Sequence, residues 1–198
     1  MHQSSCLSLM LITKAHPQFF QQIQMAVHHG VTIVQLRDKE MSDEQLFEVG
    51  QRLLHVLPKE VPLIVNDRVH VAAQLGVGVH LGQGDMPVWE ARQILGPKVL
   101  IGMTIHHDVS LAQKAQQSID YVGVGPVFAT KTKLDTKSVL GLELLKKVCE
   151  ESPVPVIAIG GIDARNAAEV RRSQPMGLAV CSGIMDSCNL AEEIPLFR

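Results

Sequence analysis

Apolar runs recur along the chain at a nearly fixed interval. They are LSLMLIT (7–13), TIVQLR (32–37), PLIVND (62–67), VGVHLG (77–82), VLIGMTI (99–105), YVGVGPVF (121–128), VPVIAIGG (154–161) and GLAVCSG (177–183). Most are continuous rather than alternating, the pattern of strands buried on both faces of a parallel sheet. Helix-like stretches lie between them. SDEQLFEVGQRLLHVL (42–57) opens with Ser42 as a cap and places Leu46, Val49, Leu53, Leu54 and Leu57 on one face. Asp108 and Asp163 open the stretches 108–118 and 163–173, and the stretch 16–29 ends at Gly30. Strand and helix patterns alternating eight times predict an α/β fold, a (β/α)8 TIM barrel, as one domain over residues 1–198. A doubly wound open sheet is the runner-up. It would want GxGxxG after the first strand, where this chain has KAHPQ.

Composition narrows the function classes. The 198 residues are 46% hydrophobic with a net charge of −2, an ordinary globular balance without an electrostatic footprint for nucleic acid. No apolar run approaches the roughly 18–20 residues of a membrane helix. The start, MHQSSCLSLMLIT, lacks a basic n-region and reads as a first strand rather than a signal peptide. Cys6, Cys149, Cys181 and Cys188 show no CxxC spacing, which suits reduced thiols in a cytoplasmic protein. Homo-oligomer formation is left open.

In barrels of this kind the active site lies at the C-terminal ends of the strands, so the polar residues that follow each apolar run matter most. The second run ends in Gln35, Arg37 and Lys39, the third in Asn66 and Asp67, and the fourth in Gln83 and Asp85. Thr104 and His106 follow the fifth, and Thr130, Thr132 and Lys133 follow the sixth. Gly160-Gly161 and Ser182-Gly183 close the last two. Small residues there let backbone N–H groups approach a phosphate; a Gly-Gly pair also serves a tight turn, and the matching Ser-Gly on the adjacent strand favours phosphate. Arg37 and Lys39, two apart in an extended segment, point to one face. Asp67 and Asp85 follow adjacent strands and are suited to share one Mg²⁺, although Asp85 also reads as a helix cap. With Arg37, Lys39 and Lys133 opposed to these two carboxylates, one Mg²⁺ leaves a surplus that balances the roughly −3 charge of a diphosphate ester. Among the histidines, only His106 is placed near the site. His28 and His29 read as solvated, His107 gains no role, and His80 faces either the barrel or the helices. No histidine set has zinc-ligand spacing.

VQLRDK, VNDR, GVHLGQGD, GMTIH, YVGVGPVFATKTK, AIGGI and VCSGI, in this order over residues 34–184, resemble the thiamine-phosphate synthase family. AIGGI alone is shared by many phosphate-binding barrels, whereas QLR-K, ND, HLGQ-D and T-TK in combination are specific. The resemblance implies a Mg²⁺-dependent transferase that joins hydroxymethylpyrimidine diphosphate to a thiazole phosphate with release of pyrophosphate. It implies that Gln35, Arg37, Lys39, Asn66, Thr104 and Lys133 hold the pyrimidine diphosphate, with Arg37, Lys39 and Lys133 catalytic. Asp67 and Asp85 would hold Mg²⁺. Thr130, Lys131, Thr132, Gly161, Cys181 and Ser182 would hold the thiazole phosphate.

The chain departs from the family pattern in places. Thr104 stands where Ser is usual, Cys181 where an aliphatic residue is common, and SQPMGLAV where an AGADGVAV-like run is usual; the leading segment is short. A thiazole tautomerase of the same superfamily is the nearest rival, but its members tend to lose parts of the diphosphate and metal set retained here. A non-catalytic phosphate-metabolite sensor has no need of that set. A sugar-phosphate isomerase barrel would leave ND and GQGD without a reason.

Overall fold

The computed structural model describes residues 6–130 and 138–198. Eight strands and their crossover helices follow in strict alternation. They are β1 (Leu9–Ile12), α1 (Phe19–His29), β2 (Ile33–Leu36), α2 (Asp43–Val56), β3 (Leu63–Asn66) and α3 (Val69–Leu75). Then come β4 (Gly78–Leu81), α4 (Val88–Leu95), β5 (Ile101–Thr104), α5 (Val109–Ala115) and β6 (Tyr121–Val124). The chain continues through α6 (Leu142–Glu151), β7 (Val156–Ile159), α7 (Ala167–Arg171), β8 (Gly177–Val180), α8 (Ser182–Met185) and α9 (Leu190–Glu193), ending in a 3-10 turn, Ile194–Phe197. All eight strands pair in parallel with their sequence neighbours, and β1 pairs with β8, so the sheet closes. Closure excludes the open doubly wound sheet. Among the described residues no helix is long and apolar enough to cross a membrane.

The continuous apolar runs are explained by two separate cores. One face of each strand packs outward against the helices, in a large cluster that includes Leu11, Val34, Val65, Val79, Val122 and Ala158. The other face fills the barrel with Met10, Ile33, Ile64, Tyr121, Ile157 and Ala179. Period-two alternation therefore exists in each strand, but most positions of both classes are apolar, with Gln35 and His80 as inward exceptions, so polarity largely hides the pattern.

The helices confirm some caps and correct others. Ser42 accepts from the Gln45 N–H while Gln45 Oε1 accepts from the Ser42 N–H, a full capping box. Asp108 caps α5 by accepting from Ser110 N–H at 3.0 Å. Gly30 ends α1 with φ 126°. The helix expected over 163–173 is shorter, Ala167–Arg171. Asp163 is instead spent on a turn: its carboxylate accepts from Arg165 N–H, and its own N–H donates to Asn166 Oδ1. In α2, Leu54 is exposed and Gly50 is buried. A Cβ on Gly50 would lie 2.4 Å from Leu75, so the glycine lets α3 approach closely and rotates the buried stripe away from Leu54.

At the N-terminal end of the barrel, Arg92 on α4 ties two loops together. Its guanidinium donates to the carbonyls of Ser118, Gly96 and Val99 and pairs with Asp120 at 2.7 Å, while Asp120 also accepts from Ile101 N–H. Arg92→Ala would leave these acceptors and a mostly buried carboxylate unpaired. The expected cost is about 2–4 kcal/mol of unfolding free energy, read from denaturant midpoints. A cost below about 0.5 kcal/mol, the scale of an ordinary surface change, would show the clamp to be dispensable.

Candidate functional site

The sequence-derived candidates that lie among the described residues converge on the C-terminal mouth of the barrel, because each lies at or just beyond the end of a strand. Gln35, on β2 two residues after Ile33, is buried inside the barrel with Nε2 3.4 Å from Met10 Sδ. Arg37 follows β2 and is held by its backbone. Its N–H donates to Thr13 Oγ1 at 2.9 Å, and the Thr13 hydroxyl donates back to Arg37 O at 3.2 Å. Thr13 is wholly buried. Lys39 lies exposed farther along the same loop.

Asn66 ends β3, and the chain then turns sharply. Asp67 takes φ 63°, a left-handed conformation that a short polar residue tolerates, and its N–H donates to His80 O. The turn swings the half-buried Asp67 toward the neighbouring strand. There Asp85 is held in the tight turn after β4, accepting from Gly82 N–H at 2.6 Å. Asp85 is thus a turn residue; the N-cap of α4 is Pro87. Burial, then a hydrogen bond and charge repulsion with Asp85, push the Asp67 carboxyl up from 3.8 to about 6, against the pull of Arg37 and Lys39. Arg37, Lys39, Asp67 and Asp85, from three consecutive strand ends, therefore share one electrostatic neighbourhood.

Two carboxylates crowded enough to raise the Asp67 carboxyl to about 6 form an oxygen donor pair suited to a cation. That donor set fits Mg²⁺, a hard ion that takes one or two carboxylates and completes its shell with water and substrate phosphate oxygens. Among the described residues no group of three or more His, Cys, Asp or Glu side chains gathers as a self-sufficient metal cage.

On the opposite side of the mouth, Gly160 and Gly161 adopt φ 98° and 69°. A Cβ on Gly161 would come within 2.8 Å of Phe128 and Ala129, so the turn requires glycine on both counts. Asn166 Nδ2 donates to Gly161 O and fixes the turn. Cys181 sits at the N-cap position of α8, followed by the exposed Ser182. Desolvation raises the Cys181 thiol pKa, while Lys14 and Arg37 pull it down, which places both cations close to the exit of β8. Thr130 is half-buried at the end of its segment. Lys131, Thr132 and Lys133 lie outside the described residues.

His106 also has a positive φ, 53°, and its Nδ1 lies 2.8 Å from Gly125 O. Arg68 pairs with Asp43 on the surface at 3.2 Å, consistent with a structural role. Three features escaped sequence reading. Thr13 braces Arg37; Lys14 bonds Asp186 at 2.6 Å beside Cys181; and His80 points into the barrel, between Tyr121 and Thr104. Alternation along GVHL puts His80 on the same face as Gly78 but does not say which face is inward; the structure does.

Comparison with known proteins follows the same lines. A model of the thiamine monophosphate synthase family matches residues 9–184. Thiamine-phosphate synthase from Albidiferax ferrireducens is 44% identical over 164 residues, 82% of this chain and 75% of that protein. The Psychrobacter sp. protein of the same name is 40% identical over 189 residues, 91% of this chain and 89% of that one. Among solved structures, thiamine phosphate pyrophosphorylase from Pyrococcus furiosus superimposes with a TM-score of 0.87 at 32% identity, covering 100% of this chain and 96% of that chain. A 3-hexulose-6-phosphate synthase, with a TM-score of 0.70 and 13% identity over 96% of this chain and 98% of that chain, shares the fold alone. The chain belongs to the thiamine monophosphate synthase family.

Proposed function

We propose that this chain is a thiamine-phosphate synthase, a transferase that couples 4-amino-2-methyl-5-hydroxymethylpyrimidine diphosphate to hydroxyethylthiazole phosphate and releases pyrophosphate. The observation that carries the reading is the convergence of Arg37, Lys39, Asp67 and Asp85 at the mouth, together with the small-residue turns at Gly161 and Ser182 and with Arg37 near Cys181. Two anionic substrates need two anion sites, and the cations and small-residue turns gathered at the barrel end support that reading.

In this reading Asp67 and Asp85 hold Mg²⁺, which when bound neutralises charge on the diphosphate leaving group. Arg37 and Lys39 address the same oxygens, with Lys133 as a third cation. Asn66 and Thr104 orient the pyrimidine diphosphate, and Gln35 lines the pocket floor beneath it. Thr130, Lys131, Thr132, Gly161, Cys181 and Ser182 seat the thiazole phosphate, Cys181 through its backbone. The C–O bond to diphosphate breaks with its electron pair leaving on oxygen. The pyrimidine methylene cation is then captured by the thiazole nitrogen lone pair. A neutral nitrogen nucleophile carries no proton to remove, so no general base is required. The residues act by holding the two substrates in line, replacing a bimolecular encounter by a local one.

The direct test is to mix purified protein with both substrates and measure pyrophosphate and thiamine phosphate, with and without Mg²⁺. Products only with both substrates and Mg²⁺ support the synthase. Isomerisation of a thiazole phosphate without pyrophosphate release would replace it by a tautomerase, and binding without turnover by a sensor.

A pH dependence follows from Asp67. Below about pH 6 a proton occupies the carboxyl pair, and Mg²⁺ must displace it. Apparent Mg²⁺ affinity is expected to fall about tenfold per unit as pH drops below that value and to level off above it. In the metal-free protein the sign of the stability effect is opposite. The folded state binds this proton more tightly than the unfolded chain, so the contribution of Asp67 to stability is full below about pH 4 and is lost as pH rises through about 6. Calorimetric Mg²⁺ titrations at pH 5 and pH 8 check the first point; equal affinities would remove Asp67 from the metal site.

A further inference from the structure

Inside the barrel, just below the mouth, three side chains from consecutive strands form one hydrogen-bonded line. The Tyr121 hydroxyl lies 2.9 Å from His80 Nδ1, and His80 Nε2 lies 2.8 Å from Thr104 Oγ1. The two rings stack at 5.5 Å between centroids. Tyr121 and His80 are buried, whereas Thr104 is half-exposed at the strand end. The surroundings are cut to fit this line. A Cβ on Gly102 would sit 2.1 Å from the Tyr121 ring, and one on Gly123 would sit 3.1 Å from the His80 ring. Any side chain at 102 would displace the Tyr121 ring, and one at 123 would press on the His80 ring by a few tenths of an ångström.

The proton positions follow from counting donors and acceptors. Burial keeps the Tyr121 phenol protonated, with its pKa well above the ordinary range. Among the described residues, that hydroxyl hydrogen-bonds to His80. If His80 Nδ1 carried the hydrogen, the phenol proton would be buried without an acceptor, an expensive arrangement. The phenol therefore donates to Nδ1. A neutral imidazole then carries its hydrogen on Nε2 and donates it to Thr104 Oγ1. With its oxygen already accepting, Thr104 has its own O–H left to donate.

We propose that Tyr121 and His80 are positioning residues that fix the Thr104 hydroxyl as a hydrogen-bond donor toward the barrel mouth, selecting an acceptor on the pyrimidine diphosphate. The proposal rests on the reading of Thr104 as a ligand of that substrate. It gives the histidine a role as a tautomer-locked spacer rather than an acid, base or metal ligand. It also states what Thr in place of Ser preserves at this position: the hydroxyl, with one face occupied by His80.

The test combines a spectroscopic and a kinetic measurement on the full chain. Imidazole ¹⁵N resonances of wild-type protein, with the His80 signals identified by their loss in His80→Gln, are expected to show a neutral ring protonated on Nε2. In Tyr121→Phe the His80 signals should move to a mixture of tautomers. Kinetically, Tyr121→Phe is expected to raise KM for the pyrimidine diphosphate about tenfold, the scale of one lost hydrogen bond, and leave KM for the thiazole phosphate within about twofold. Thr104→Val should do the same, and Thr104→Ser should restore the wild-type value. Adding Tyr121→Phe to Thr104→Val should cost nothing further, because the relay acts only through that hydroxyl. A wild-type ring protonated on Nδ1, or additive losses in the double variant, would overturn the relay. An Nε2–H ring in a protein that turns over neither substrate would support the relay's hydrogen bonds and overturn the functional reading instead.

Discussion

Asp67→Asn and Asp85→Asn are each expected to lower kcat/KM by about 10² to 10³, the scale of losing one preorganised group that stabilises charge on a leaving oxygen. Asparagine keeps the size and one oxygen of each side chain but removes the negative charge. The change also relieves the crowding that holds a proton on Asp67 near pH 6. Folding stability should therefore not fall in parallel with activity, and the Asp67 variant should lose the pH dependence of Mg²⁺ binding. Raising the Mg²⁺ concentration should recover part of the activity of either variant. Full turnover by either one, or by wild-type protein in excess EDTA, would remove the carboxylate pair from the reaction.

Lys39→Ala is the second large expected effect, about 10² in kcat/KM and falling mainly on kcat, because its charge matters most as negative charge gathers on the departing diphosphate. Lys39 is exposed and makes no hydrogen bond or ion pair to another side chain among those described, so its replacement should change stability by less than about 0.5 kcal/mol. Arg37→Ala differs in kind. Arg37 is half-buried and its backbone is clamped by Thr13, so a geometric role accompanies the charge. Thr13→Val, which removes the clamp but retains the guanidinium, separates the two contributions. A loss below twofold for Lys39→Ala in single-turnover measurements would count against its assigned role.

The element order was legible because buried parallel strands leave continuous apolar runs, and eight of these with helical patterns between them admit few folds. The candidate residues were legible for a related reason. A parallel strand delivers whatever follows it to the same end of the barrel as every other strand, so Arg37, Asn66, Asp67, Asp85, Thr104 and Ser182 could be assembled on paper without any knowledge of distance. Short-range signals fared unevenly. The Ser42 cap was correct because it depends only on Ser42 and Gln45, three positions apart. Asp163 also looked like a cap but closes a turn instead, since its choice between helix and turn depends on Asn166 and on the Gly161 carbonyl that Asn166 holds. Leu54 looked buried by periodicity, and only the approach of Leu75 to Gly50 shows why the stripe turns away from it.

What the sequence determined by itself was the kind of chemistry gathered at the strand ends: cations, a carboxylate pair and small-residue turns, in an order set by the chain. What only the tertiary structure decided was how those groups act on one another. The left-handed turn at Asp67 and the tight turn holding Asp85 turn two acids on neighbouring strands into one coupled pair. His80, which alternation alone left facing either layer, joins Tyr121 to Thr104 across three strands that are separated by up to 41 residues in the chain. The physical reason is the same in each case. Hydrogen bonds and charge coupling depend on separations of a few ångströms, and in a closed barrel these are set by register and turn geometry rather than by distance along the chain.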